Sequence, residues 1–130
     1  METTHAYFAG LVDGDGCITI SREDLVITVT NSYKPALDDL CSIYGGSIYV
    51  SNEATNRSRA VYVWKLWSLK AADVLRSLLP YLRIKRNQAS VGIQFQETKD
   101  IRHRTIPPKV AQERKRLIRQ IRCLNGGPKR

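Results

Sequence analysis

Two aspartates, Asp13 and Asp15, close an apolar run: Phe8-Ala9-Gly10-Leu11-Val12-Asp13-Gly14-Asp15-Gly16. Residues 4–14 are helical in type, with Tyr7, Phe8, Ala9, Leu11 and Val12 in close succession and Thr3 or Thr4 as the N-cap. The two carboxylates then sit at the C-terminal end of a helix, where the macrodipole is negative. A carboxylate there is disfavoured by roughly 0.3–1 kcal/mol, so a compensating cation is expected. Carboxylate and phosphate oxygens are the ligands that hard Mg²⁺ takes. A metal held beside a phosphodiester activates water and neutralises charge as the bond breaks. A plain turn is the competing reading of Asp-Gly-Asp-Gly. A calcium loop running from Asp13 to Asp24 is excluded, because its sixth position requires glycine and here is Ile18.

The helix that carries these acids is apolar nearly all round, so it must be covered on more than one side. Gly10 and Gly14 are four residues apart and share a face, which lets another helix approach closely. The chain contains no second helix of this kind, so a symmetric partner is the economical answer, with Phe8, Gly10, Leu11 and Gly14 at the interface.

The elements that follow must position this helix end. Cys17–Arg22 and Leu25–Thr30 read as a hairpin turning at Glu23-Asp24. Lys34–Tyr44 is predicted helical, with Pro35 in its first turn and Gly45-Gly46 ending it. Ser47–Ser51 and Arg59–Trp67 form a second hairpin, and Leu69–Leu79 a helix closed by Pro80. Leu82–Phe95 is a further helix. Pro107-Pro108 breaks the chain before a last helix, Lys109–Leu124, stopped by Gly126-Gly127-Pro128. The order predicts an α+β fold, a four-stranded sheet with helices over one face.

With 42% hydrophobic and 25% charged residues the composition is that of a globular protein, and no apolar run is long enough to span a membrane. Met1–Ala6 has no signal-peptide pattern, so an intracellular, unsecreted protein is expected. Cys17, Cys41 and Cys123 have neither disulfide nor zinc spacing. The net charge of +9 points to a polyanion. Its distribution is more informative. Residues 1–98 carry ten Lys/Arg and ten Asp/Glu, whereas residues 99–130 carry eleven against two. The chain therefore divides into a neutral domain, 1–98, and a basic extension, 99–130, adjoining or packed on it. Arg102, Arg104, Lys109, Arg114, Lys115, Arg116, Arg119 and Arg122 are candidate phosphate contacts.

The acidic run resembles the LAGLIDADG motif, departing only at Phe8, Val12 and Gly14. A second block, Pro80-Tyr81-Leu82-Arg83-Ile84-Lys85-Arg86-Asn87-Gln88-Ala89, resembles the P-x-L-x-x-K-x-x-Q-A stretch of the same family. The resemblance spans most of residues 4–96. It implies an αββαββα half-domain with an antiparallel, saddle-shaped sheet, here followed by an extra basic helix. It also implies a homodimeric homing endonuclease, making a staggered double-strand break in a long, pseudo-palindromic DNA site. Mg²⁺ is the implied cofactor, with Mn²⁺ accepted. Asp15 is the implied metal-binding acid, with the Gly14 carbonyl adding a ligand and Asp13 closing the turn. Lys85 is singled out as the catalytic cation by resemblance alone, since on composition it equals Arg83 and Arg86. Asn31 matches a position that orders catalytic water.

Double-stranded DNA is the expected partner, with no membrane and no small-molecule substrate. A β ribbon fits the major groove, where each base pair shows a distinct pattern of donors and acceptors. Strand alternation turns Ile18, Ile20, Ile27 and Val29 inward, and Tyr62, Trp64 and Leu66 with them. The candidate DNA contacts are then Thr19, Ser21, Arg22, Thr28, Thr30, Asn31, Ser47, Tyr49, Ser51, Arg59 and Lys65. Two other readings compete: an RNA maturase or cleavage-deficient DNA regulator of the same fold, and a PD-(D/E)xK nuclease using Asp38, Glu97 and Lys99.

Overall fold

The computed structural model describes residues 2–100 and 105–126, so Arg102, Arg104, Gly127 and Pro128 lie outside the described residues. The elements run α1 (Glu2–Asp15), β1 (Gly16–Ser21), β2 (Asp24–Asn31), α2 (Lys34–Tyr44), β3 (Ser47–Asn52), β4 (Val61–Trp67), α3 (Ser68–Leu78), α4 (Arg86–Asp100) and α5 (Pro108–Leu124). A single 3₁₀ turn, Leu79–Tyr81, follows α3. The strands form one antiparallel sheet in the order β1-β2-β4-β3, so β2 and β4 are the inner strands.

The alternation of side chains decides which face the helices cover. Ile18, Leu25, Ile27, Val29, Trp64 and Leu66 point to one side and are buried, under Phe8 and Val12 of α1, Leu75 of α3 and Phe95 of α4. Trp64 is the largest fully buried side chain. Its indole Nε1 donates to the Gly45 carbonyl at 2.7 Å, which satisfies the one polar atom that burial would orphan. Gly46 follows with φ +99°, and a Cβ there would lie 2.6 Å from the Lys65 carbonyl, so glycine is required where α2 turns into β3. At the other end of α1, His5 Nδ1 and the Tyr44 hydroxyl are hydrogen-bonded at 2.7 Å, and burial pushes the Tyr44 phenol above its ordinary pKa.

Helix α1 begins at Glu2, so Thr3 and Thr4 lie within it and neither caps it. Helix α4 starts four residues later than periodicity suggests: Leu82 is extended, with φ −72° and ψ 140°, and a carboxylate takes the N–H groups of residues 83–85 ahead of the helix. Asp13, only 9% exposed, accepts hydrogen bonds from three consecutive backbone N–H groups. Its Oδ2 takes the N–H of Arg83 at 2.8 Å, and its Oδ1 takes those of Ile84 at 3.2 Å and Lys85 at 3.0 Å. A negative group at these donors also faces the positive end of α4. Asp13 thus does not close a local turn; it ties the end of α1 to a segment some 70 residues away.

The basic helix α5 packs on α4 and β1, and its Leu117 and Ile121 are fully buried in the same core. Arg114 is not free for phosphate. It is 9% exposed, and its guanidinium donates to the Thr98 hydroxyl and the Thr98 carbonyl, both at 3.0 Å, tying α5 to the last turn of α4.

Asp13→Ala strands three N–H donors and is expected to lower the unfolding free energy by roughly 2–3 kcal/mol. Urea titration checks this, with the midpoint falling at unchanged slope. A midpoint equal to that of the parent refutes the role given to this carboxylate.

Candidate active site and nucleic-acid interface

Asp13 turns inward and Asp15 turns outward. Asp15 is exposed, and its Oδ2 accepts a 2.8 Å hydrogen bond from the Asn31 side-chain amide. The amide cannot rotate freely, because Asn31 Oδ1 accepts from the Tyr33 backbone N–H at 2.7 Å. Asn31 pairs with Tyr62 across the sheet, on the parity of the inward positions. Its amide points to Asp15 and not to the open face, which sets Asn31 apart from the other residues expected to contact DNA.

Lys85 comes to the same helix end from the opposite direction. Its Nζ donates to the Asp13 backbone carbonyl at 2.7 Å, satisfying one of the orphan acceptors at the C-terminus of α1. The ammonium is the compensating cation that the dipole argument calls for. Asp15, Asn31 and Lys85 are thereby gathered around one helical turn. Arg83 and Arg86 are exposed and make no such contact with α1. Gly16 lets the chain leave the helix, since a Cβ there would lie 2.7 Å from the Val12 carbonyl.

Along α1, Gly10 and Gly14 are exposed, and a Cβ added at either would meet nothing within 4 Å. Tyr7 beside them is 60% exposed, and Leu11 is half-buried. Phe8 is not on this face. It is 4% exposed and meets the Tyr44 ring edge-to-face at 5.6 Å, because it shares the inward stripe with Ala9 and Val12.

The uncovered face of the sheet carries Thr19 and Ser21 of β1, Thr28 and Thr30 of β2, Ser47 and Tyr49 of β3, and Lys65 of β4, whereas Ser51 is exposed at a break in the β3–β4 register between Val50 and Asn52. Arg22 stands at the tip of the first hairpin with φ 52°, and Arg59 lies in the loop before β4. Three residues of this region escaped the sequence reading. Cys17 and Trp67 share the outward parity and are exposed, a signal present in the alternation. Tyr33, 65% exposed just beyond Asn31, belongs to no periodic element and left no signal.

On α5, Arg116 is engaged by Glu113 at 2.7 and 2.9 Å, and the guanidinium holds the Glu113 carboxyl below its ordinary range. Lys115, Arg119 and Arg122 are exposed at spacings of four and three, which puts them on one face of the helix.

Among the described residues, no group of three or more His, Cys, Asp or Glu is placed to hold a metal ion. The three residues of the PD-(D/E)xK reading are each engaged elsewhere: Asp38 with Lys34, Glu97 with Arg76, and Lys99 with Asp24.

No family model matches the sequence. Among characterised proteins, the DNA endonuclease I-CvuI of Chlorella vulgaris is 31% identical over 143 residues, covering 96% of this chain and 81% of that protein. The crystal structure of I-CvuI with its DNA target in the presence of Ca superposes with a TM-score of 0.77 at 28% identity, over 99% of this chain and 86% of that one. I-CvuI on an I-CreI target with Mg, its DNA not cleaved, gives a TM-score of 0.76 at 26% identity over the same shares of 99% and 86%. The archaeal intron-encoded endonuclease I-Vdi141I, solved with DNA, gives 0.75 at 14% identity over 95% and 84%, a likeness of fold. With its acidic helix end, its single sheet and this relative spanning nearly all of it, the chain belongs to the LAGLIDADG homing endonuclease family.

Proposed function

We propose that this protein is a site-specific DNA endonuclease that works inside the cell as a homodimer with a divalent cation, Mg²⁺ in the first instance and Mn²⁺ as a substitute. One observation carries the reading. A single exposed carboxylate, Asp15, stands at the end of a helix whose glycine face is open in the isolated chain. One acid on one chain makes an incomplete metal site. Two copies crossing at Gly10 and Gly14 bring two Asp15 side chains together, and the scissile phosphates add further oxygens. The relative I-CvuI, solved on DNA with Ca or Mg, supports both the substrate class and the ion class.

The donor set at this helix end is made of hard oxygens, as a Mg²⁺ site requires. Asp15 and the Gly14 carbonyl would hold the cation, which when bound supplies a nucleophilic water and charge neutralisation at the phosphate. Asn31 fixes the Asp15 carboxylate through its 2.8 Å hydrogen bond. Lys85, tethered to the Asp13 carbonyl, would stabilise negative charge developing on the cleaved phosphate. The sheet face of hydroxyls reads base edges, and Lys115, Arg119 and Arg122 grip the backbone. Two sites related by a twofold axis make the staggered cut in a pseudo-palindromic target. Retention of both Asp15 and Lys85 at one helix end favours cleavage over the maturase or regulator reading.

Asp15→Asn is expected to keep DNA affinity while cleavage of a plasmid carrying the target falls by about 10²-fold or more. Persistent cutting would remove Asp15 from the chemistry. Gly10→Leu meets open space in the single chain, so it leaves the subunit folded while obstructing the crossing. Sedimentation should then show a monomer; a dimer at micromolar concentration rules out this interface. Replacing Lys115, Arg119 and Arg122 together by Gln is expected to reduce the slope of log affinity against log salt by up to about 3. An unaltered slope would show that α5 does not touch phosphate.

A further inference from the structure

The four strands carry one cation between them. Lys65 is the single Lys or Arg in Gly16–Ser21, Asp24–Asn31, Ser47–Asn52 and Val61–Trp67. It stands on β4, an inner strand, opposite Thr28 of β2 on one side and Ser47 of β3 on the other. Its Nζ lies 5.1 Å from the centroid of the Trp67 ring and 5.5 Å from that of Tyr49. Both rings stay on the open face, Trp67 44% and Tyr49 45% exposed. Among the described residues the ammonium has no ion pair and no hydrogen bond.

A lysine on a solvated sheet face ordinarily samples many rotamers. Two aromatic faces attract its ammonium and restrict it to one place. The cost of ordering the side chain is then met before any ligand arrives, which is how preorganisation favours binding. What such a fixed donor recognises follows from its chemistry. An ammonium only donates, so it requires acceptors. In the major groove guanine presents two adjacent acceptors, N7 and O6, whereas adenine sets a donor beside its N7, thymine shows O4 beside a methyl group and cytosine shows a donor. An inner strand of a sheet laid in the groove faces base edges, and its flanks face the phosphates.

We propose that Lys65, clamped between Tyr49 and Trp67, is a specificity-determining residue that reads one guanine in each half-site. The proposal rests on the reading of the sheet face as the DNA-binding surface, and it adds a base identity and the residues that position the reader.

The test is selection from a pool of randomised DNA duplexes, with full-length protein and no divalent cation added, so that bound duplexes stay intact. The wild-type protein should enrich a twofold-related pattern with guanine at one position per half-site. Lys65→Met keeps the stem and loses the charge, and should relax that position alone by roughly 5- to 100-fold in relative affinity. Trp67→Leu retains the lysine and should relax the same position part of the way. Three outcomes overturn the proposal. A Lys65→Met profile identical to wild type removes Lys65 from readout. A uniform loss of affinity across all sequences, with a salt slope smaller by about 1, makes Lys65 a phosphate contact. An unaltered Trp67→Leu profile removes the clamp. A wild-type protein that enriches no sequence at all fails earlier, at the reading of the face itself.

Discussion

The Asp13 carboxylate is the join on which the functional end of the molecule depends. Its two oxygens take three successive backbone N–H groups from residues 83–85, at 2.8, 3.2 and 3.0 Å. The donors belong to a stretch that leads into α4, and the acceptor belongs to the last turn of α1. One interaction therefore sets the start of a helix, fixes a loop, and brings a lysine to the end of another helix. Lys85 completes the exchange by donating its Nζ to the carbonyl of the same aspartate. Backbone groups at the end of α1 and the approach to α4, which would otherwise need water, are each satisfied by a side chain from the other segment. Their geometry is fixed as a result.

The join also explains why two carboxylates two residues apart have different fates. A helical residue pointing into the protein is followed, two positions on, by one pointing well away from it. Asp13 is turned towards the 83–85 loop, and both its oxygens are engaged by backbone N–H groups there. Asp15, the last residue of α1, is turned out, with one hydrogen bond from Asn31. It keeps acceptor capacity for a cation. Its isolation is equally telling, since no second acid on the same chain completes a metal site among the described residues. On the proposed reading, a chain with one outward acid and an uncovered glycine face supplies half of a site.

Much of this was legible in the sequence, and what was not has identifiable causes. The apolar run ending in Asp-Gly-Asp-Gly marked α1 and its acids. Period-two alternation separated Ile18 and Ile27 from Thr19 and Thr28 correctly, and it would have separated Trp67 from Trp64 had it been followed to the end of β4. Phe8 was misassigned because a helix that is apolar all round gives no sign of which stripe faces its own core. The start of α4 was misplaced because Leu82 is extended and residues 83–85 are tied to an aspartate some 70 residues away, neither of which leaves a local signal. Arg114 illustrates the limit of counting charge. In a run of cations nothing local distinguishes the one buried against Thr98 from those left in solvent. Tertiary contacts decide such cases, and composition does not record them.

On the proposed reading, the chain separates two tasks that a uniformly basic surface would confuse. Attraction to a phosphate backbone is the same for every sequence and grows with each cation, so a reading face crowded with lysine and arginine would bind all DNA alike. Residues 1–98 balance their charges, and the strands hold hydroxyls and one constrained ammonium. Six of the eleven cations of residues 99–130 lie on α5, against Glu113 alone, and this helix is bound to the side of the domain through Leu117, Ile121 and the Arg114 contact with Thr98. On the proposed reading, α5 supplies the long-range pull and the sheet the discrimination. The physical reason for keeping them apart is that hydrogen bonds discriminate by geometry, which a strong nonspecific field would override at every wrong site. On that reading, a helix docked beside the sheet would keep the field close enough to concentrate the face on DNA, and outside the positions where bases are compared.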